Sequence, residues 1–315
     1  MPAFTASAPG KIILFGEHAV VYGKPAIAVP VTQVSARAIL RPDPRGVPGS
    51  MHIQAPAVGL DTYLADLPDE HPLAAAVNGV LSTLGVSRPL ACSLRITSTI
   101  PVASGLGSGA AVSVAIIRAL SAFLGRPLSN EQVSELAFEV EKLHHGTPSG
   151  IDNSVITYAR PVYFMRDQPI EVLRVSQPFT IVIGDTGISS PTAIAVGDMR
   201  RLWQRDPTHY EALFDAAGKI ARQARQTIEA GRPNDLGALM DSNHALLQQM
   251  GVSSPELDHL VTVARQASAL GAKLSGAGRG GNMIALVQPA NAAYVAEALS
   301  NAGAVRTIAT QIEGR

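Results

Sequence analysis

The residues with the most chemical content sit in two glycine loops. Gly105-Leu-Gly107-Ser-Gly-Ala110 fits the relaxed pattern G-x-G-x-x-G/A, and Gly276-Ala-Gly278-Arg-Gly-Gly281 fits the strict one. Glycines spaced this way let backbone amides approach an anion closely, and a helix that starts at the loop aims its positive end at the same place. The first loop sits between a strand and a helix pattern, where a phosphate is the natural ligand. A tight strand-to-helix turn without any ligand has the same spacing, and the residues alone leave the two readings even. For the second loop, a hairpin turn is the simpler reading. Neither loop ends in Gly-Lys-Ser/Thr, which excludes a Walker P-loop. A dinucleotide fold is poorly supported. The second loop runs into a strand, and after the first no strand ends in an acid for a ribose hydroxyl.

Single residues add candidates, each with a plainer alternative. Asp152 follows a Pro-Ser-Gly turn and would ordinarily be a capping aspartate. Lys11 follows Pro9-Gly10 and would ordinarily be a solvated lysine. Glu141 reads as a carboxylate on a helix face, flanked by Glu139 and Lys142, which should face solvent. His18 would more often be a core histidine than a ligand. His144 and His145 resemble a metal pair, but adjacent helix residues face different ways, so they read as structural.

These residues need elements to hold them. Phe4 to Ala8, Ile12 to Phe15 and Ala26 to Val34 read as strands, and 41–50 reads as a Pro- and Gly-rich loop. A helix is expected from Leu73 to Leu84 and a strand from Ala91 to Ile100. Ala110 to Leu124 is apolar nearly all round, the mark of a buried helix. Ser129 with Gln132 forms a capping box that opens a helix to about Leu143. Ser154 to Phe164 reads as a strand, as does Phe179 to Ile183. Helices follow over 191–204, 209–230 and 235–249, and another opens on Ser254 and Pro255. Two strands, Ala272 to Ser275 and Met283 to Val287, flank the second glycine loop, and 292–301 is a helix. The order is that of an α+β chain rather than a βαβ array. Its length suggests two domains, 1–175 and 176–315.

Composition narrows the classes. Hydrophobic residues make up 46% and charged residues 16%, enough apolar surface for sizeable cores. Lys plus Arg and Asp plus Glu are equal at 25 each, so nothing marks a nucleic-acid or membrane surface. The single cysteine, Cys92, rules out an internal disulfide and fits a cytoplasmic protein, with the thiol as core packing. The closing Ile312-Glu-Gly-Arg315 reads equally as a protease-site scar or as native sequence, and carries no functional weight.

Three stretches together change the odds. Ala8-Pro-Gly-Lys-Ile-Ile-Leu-Phe-Gly-Glu-His-Ala-Val-Val-Tyr-Gly23, Pro101 to Ala111 and Lys273 to Gly281 resemble, in order and spacing, the three signature motifs of the GHMP small-molecule kinases. The first looks specifically like the mevalonate kinase branch. Glu141 to Asn153 is similar to the segment carrying that family's metal ligand and catalytic aspartate, and Gly184 to Thr192 resembles microbial members.

The resemblance implies an N-terminal domain like ribosomal protein S5 domain 2 and a ferredoxin-like C-terminal domain, with ATP and mevalonate in the cleft between. It implies phosphorylation of the mevalonate 5-hydroxyl, with Mg2+, in isoprenoid biosynthesis. Asp152 becomes the catalytic base and Lys11 its cationic companion. Pro101, Ser104, Gly105, Leu106, Gly107, Ser108, Gly109, Ala110 and Ala111 line the nucleotide phosphates. Glu141 becomes the metal ligand; because Gly109 lacks the hydroxyl usual in the family, Ser108 joins it, or a water takes that place, or binding leans on Glu141. Glu17, His18 and Ser149 meet the substrate, His18 as a hydrogen-bond donor. A sister kinase acting on a sugar, homoserine or phosphomevalonate is the alternative; a related decarboxylase and a non-catalytic sensor rank below it. The sequence leaves oligomeric state open, a homodimer being one outcome. Three positions depart from the family pattern: Gly109 stands for the usual serine, Arg279 for glycine and Asn282 for cysteine.

Overall fold

The structure, a computed structural model, describes residues 3–88, 91–101, 104–145, 148–190 and 192–314. The side chains of His144 and His145 fall outside the described residues, and so does their expected structural role. The chain forms two compact units. One comprises Met1–Gly10, Val34–Pro101 and Gly107–Ala159; the other comprises Lys11–Gln33, Val102–Leu106 and Arg160–Arg315. Two long strands, β1 (Phe4–Phe15) and β2 (Ala26–Pro42), contribute residues to both. The sequence suggested a break in β1 at Pro9-Gly10, but the strand runs through. Its only strand neighbour among the described residues is β2, and a strand at a sheet edge tolerates proline.

In the first unit, the later half of β2 pairs antiparallel with β5 (Cys92–Ser98), from Ala36 opposite Ser98 to Pro42 opposite Cys92. β5 takes β3 (Met51–Ala55) in parallel, and β3 takes β4 (Leu60–Tyr63) antiparallel. The sequence reading missed both, because each is short and follows a turn-rich stretch. Four helices belong to this unit: α1 (Pro72–Thr83), α2 (Ser108–Phe123), α3 (Asn130–His145) and α4 (Ile151–Tyr158). α2 is buried around most of its circumference, as its composition requires, and packs against the other three. The expected capping box opens α3. Gln132 N–H donates to Ser129 Oγ at 3.3 Å, and Ser129 N–H donates to Gln132 Oε1 at 3.0 Å. Cys92 is buried, and desolvation pushes its thiol up to about 11, so it packs and does not react.

The expected strand from Ser154 to Phe164 is replaced by α4 followed by a short strand, β6 (Val162–Phe164). Val155, Ile156 and Thr157 are β-branched and favour a strand locally. Tertiary bonds override them. Gly150 turns left-handed at φ 91° to start the helix, and Ser154 Oγ donates back to the Gly150 carbonyl at 2.6 Å. Asn153, 5% exposed, donates to the Ser134 carbonyl at 3.0 Å and to Ser134 Oγ at 2.9 Å, pinning α4 to α3.

In the second unit, β6 pairs with Ala26 to Ala28 of β2 and with β7 (Glu171–Val172). A four-stranded antiparallel sheet follows the order β11 (Arg306–Ile312), β8 (Phe179–Asp185), β10 (Asn282–Val287), β9 (Gly271–Ser275). Ile312, in the scar-like terminal tetrapeptide, is buried in this sheet opposite Phe179. Helices α5 (Thr192–Arg205), α6 (Pro207–Glu229), α7 (Leu236–Gln249), α8 (Pro255–Gln266) and α9 (Ala292–Asn301) complete the unit. Ser254 caps α8 by accepting from Leu257 N–H at 3.3 Å, with Pro255 in the first turn, as the sequence suggested. The core joins Val182, Ala285 and Leu274 of the sheet to Phe214, Leu247, Leu260 and Leu299 of the helices.

β9 lies at the edge of that sheet, and α7 covers its outward amides. Ala272 N–H donates to Asp241 Oδ1 at 3.0 Å, and Leu274 N–H donates to His244 Nδ1 at 3.3 Å. Such bonds keep an edge strand from pairing with another chain. Gly237 and Gly271 make the approach possible, because a Cβ on either would run into the other element's backbone.

Candidate active site

Each unit contributes its own set of candidate residues. In the first, α2 begins directly after Gly107, which takes φ 74° and places no side-chain cap over the helix start. Uncapped amides and the helix dipole there suit an anion. Ser108 and Gly109 form the first turn, and Ala110 and Ala111 are buried beneath it. A Cβ built on Gly109 would lie 3.2 Å from Glu141 Oε1, so glycine lets that carboxylate come close to the helix start, and a side chain there would press on its flexible end. Glu141 is 5% exposed near the end of α3. Glu139 and Lys142 pair with each other at 2.6 Å on the exposed face, as expected.

A buried carboxylate close to a helix start is a hard oxygen ligand of the kind that suits a small cation arriving with a phosphate. Among the described residues no three His, Cys, Asp or Glu side chains gather into a protein cage.

Asp152 is the second residue of α4, in its first turn, where the helix dipole favours a negative charge. Ser149 sits just before the helix and accepts from Ile151 N–H at 3.4 Å, so its hydroxyl oxygen helps start α4. The bonds of Asn153 and Ser154 described above fix this turn on α3, which also carries Glu141.

In the second unit, Lys11 is buried on β1, and its backbone N–H donates to the Leu106 carbonyl at 3.0 Å. The adjoining Ser104 carbonyl accepts from the Asn282 amide. Segment 104–106 is thus tied to β1 on one side and β10 on the other, with Gly105 at φ 77° between. The departure from cysteine at 282 supplies an amide donor for this bond. Pro101 precedes two residues outside the described set and carries no further placement here. Arg279 takes φ 60° and pairs with Asp198 of α5. Its guanidinium ties the third motif to that helix.

Glu17 and His18 both have partners within the protein. Glu17 is 1% exposed, and its carboxylate faces the wholly buried Lys273 of β9 in an ion pair. Its second oxygen accepts from Asn243 Nδ2 at 3.3 Å. Both oxygens are therefore engaged inside the protein. His18, expected as a donor to substrate, already uses its donating nitrogen. Nε2–H donates to the Ala277 carbonyl at 3.0 Å, which leaves Nδ1 as an acceptor, buried and without a partner. Burial lowers the His18 pKa to about 4, and the nearby Arg279 adds to the effect, so the ring is neutral at physiological pH. Asn243 escaped the sequence reading, while Lys273 and Asn282 entered it only as motif positions without these partners. A lysine within the otherwise small and apolar run 271–275 was the one available signal.

Two family models match the chain. The GHMP kinases N terminal domain covers residues 73–160, and the GHMP kinases C terminal model covers residues 224–305. The mevalonate kinase of Pyrococcus horikoshii is 37% identical, over 96% of this chain and 94% of that protein. The mevalonate kinase of Aeropyrum pernix is 35% identical, over 90% of this chain and 88% of that protein. Among solved structures, Leishmania major mevalonate kinase in complex with R-mevalonate superposes with a TM-score of 0.83 at 31% identity, covering 100% of this chain and 96% of that one. The Methanococcus jannaschii mevalonate kinase superposes with a TM-score of 0.84 at 23% identity, over 100% of this chain and 99% of that one, which speaks to the fold.

Proposed function

The chain belongs to the GHMP kinases, with the two-domain α+β fold of that family, and on this footing we propose that it is a mevalonate kinase. The observation that carries the reading is the match to mevalonate kinases along nearly the whole chain. The two family models fall on either side of residue 175, which supports functional domains of 1–175 and 176–315.

The reaction transfers the γ-phosphoryl group of ATP to the 5-hydroxyl of mevalonate, giving 5-phosphomevalonate and ADP. Such transfer is mostly positioning and charge neutralisation. Asp152 orients the hydroxyl and accepts its proton as the O–P bond forms. Lys11 offsets negative charge on the transferring group. The amides at the start of α2 hold the phosphates. Glu141, with Ser108, would hold Mg2+, which when bound draws charge from the phosphate oxygens. His18 meets the substrate through Nδ1.

An ADP-release assay with ATP and Mg2+ tests this, run across mevalonate, phosphomevalonate, homoserine and galactose. Turnover on mevalonate alone is expected. Turnover on another acceptor would keep the kinase and overturn the substrate.

Gly109→Ser is expected to tighten the metal. The new hydroxyl would stand beside Glu141, and one added oxygen ligand should lower the Mg2+ concentration for half-saturation about 10-fold, or about 1.4 kcal/mol. Mn2+ titration of the nucleotide complex by electron paramagnetic resonance reads this directly. An unchanged midpoint would place the ion away from residue 109.

A further inference from the structure

We propose that Lys273 and Asn243 are positioning residues: by holding both oxygens of Glu17 they lock the strained turn at His18, so that its Nδ1 is presented as a hydrogen-bond acceptor. The inference rests on the reading above only in taking that acceptor to serve a substrate hydroxyl.

The turn comes first. His18 has φ 58° and ψ −48°, and Ala19 N–H donates to the Glu17 carbonyl at 2.6 Å. These values define a γ-turn of the positive-φ hand, which is rare and strained for any residue with a Cβ. Such a turn persists only where its surroundings over-determine it. Here the surroundings come from one strand and the loop after it. Lys273 of β9 grips the side chain of Glu17, and the Ala277 carbonyl grips His18 Nε2–H. The residues on both sides of the strained peptide are held by a segment more than 250 residues away in sequence.

Lys273 and Asn243 have no simpler purpose. Lys273 is 0% exposed, and burial lowers its pKa. Two apolar residues would fill the volume of a buried ion pair without its desolvation cost. Lys273 also donates to the Leu274 carbonyl at 2.6 Å, and its ammonium lies 6.0 Å from the Phe15 ring, so its direction is fixed. Asn243 is 1% exposed and keeps an unpartnered Oδ1, although leucine would pack there with no orphan atom. What asparagine offers over leucine is its donor to Glu17. The outcome is a neutral imidazole with one nitrogen tied down and the other buried and unpaired, an acceptor that only a donor can satisfy.

The test uses protein labelled with 15N-histidine, with the His18 signals assigned through His18→Gln. Wild type should show one tautomer, with protonated Nε2 and bare Nδ1. The double variant Lys273→Met/Glu17→Gln removes both charges together, so neither is left buried alone. It should melt near wild type, show mixed His18 tautomers, and raise KM for mevalonate about 10-fold while KM for ATP stays within about 3-fold. A variant that folds, keeps the single tautomer and keeps its KM values overturns the proposal. Should the double variant not fold, Asn243→Leu carries the test, because it leaves the ion pair intact. Its expected result is the same tautomer mixing with a smaller rise in KM, and an unchanged spectrum overturns the proposal equally. The nitrogen spectrum reads positioning whether or not mevalonate is turned over, so failure of the substrate assignment is distinguishable from failure of this one.

Discussion

Asp152→Asn should lower kcat by about 10²- to 10⁴-fold, the range over which a positioned proton acceptor contributes, and leave KM for ATP nearly unchanged. The substitution keeps side-chain shape and removes only the charge and the ability to take a proton. The local fold has other bonds to hold it. α4 is started by the left-handed Gly150 and by Ser149, and it is held on α3 through Asn153. The helix should therefore form in the variant, and a thermal melt should show this before kinetics are read. A fall in kcat without a rise in KM identifies an interaction made mainly in the transition state. Retention of kcat within about 3-fold would make Asp152 a helix-start aspartate and nothing more. It would also return proton removal to solvent, which is tolerable in a reaction whose catalysis is largely electrostatic.

The sequence revealed features whose cause is local. The Ser129/Gln132 box, the Ser254-Pro255 start and the positive-φ glycines of both loops follow from neighbouring residues alone, and they stand where expected. Features set by distant partners were hidden. Val155-Ile156-Thr157 looks like strand until Ser134 is known to take the Asn153 amide. Met51 to Ala55 is too short to announce itself, and its parallel neighbour β5 lies about 40 residues on. The site divides the same way. Resemblance to the family's motifs named Lys11, Glu141 and Asp152, while the partners of Glu17 lie 226 and 256 residues away. The direction in which His18 points its donor follows from a carbonyl at Ala277, and no pattern in the first motif records it.

Acidification should destabilise this protein through two buried histidines before its carboxylates are exhausted. His18 and His244 both have pKa values lowered to about 4 from 6.5, chiefly by burial. For His244, Asp258 opposes the shift, while Lys273 and Arg265 add to it. Each ring stays neutral when folded but takes a proton in the unfolded chain below pH 6.5. The unfolded state then binds more protons, so stability is full above pH 6.5 and falls as pH drops toward 4. By pH 4.5 each histidine should cost about 2 to 3 kcal/mol, or about 5 together. Geometry gives the same sign for His244. Its Nε2 lies 3.2 Å from Asp258 Oδ1 and its Nδ1 accepts from Leu274 N–H, so a second proton would break the bond that covers the edge of β9. Urea unfolding at pH 7.5 and 4.5 measures the loss. His244→Gln keeps an acceptor for Leu274 and cannot titrate, so it should remove about half of the histidine contribution. An identical pH slope in wild type and variant would mean that His244 opens to solvent well before the protein unfolds. The edge of β9 would then be the place where unfolding begins, and amide exchange at Ala272 and Leu274 should be fast even at neutral pH.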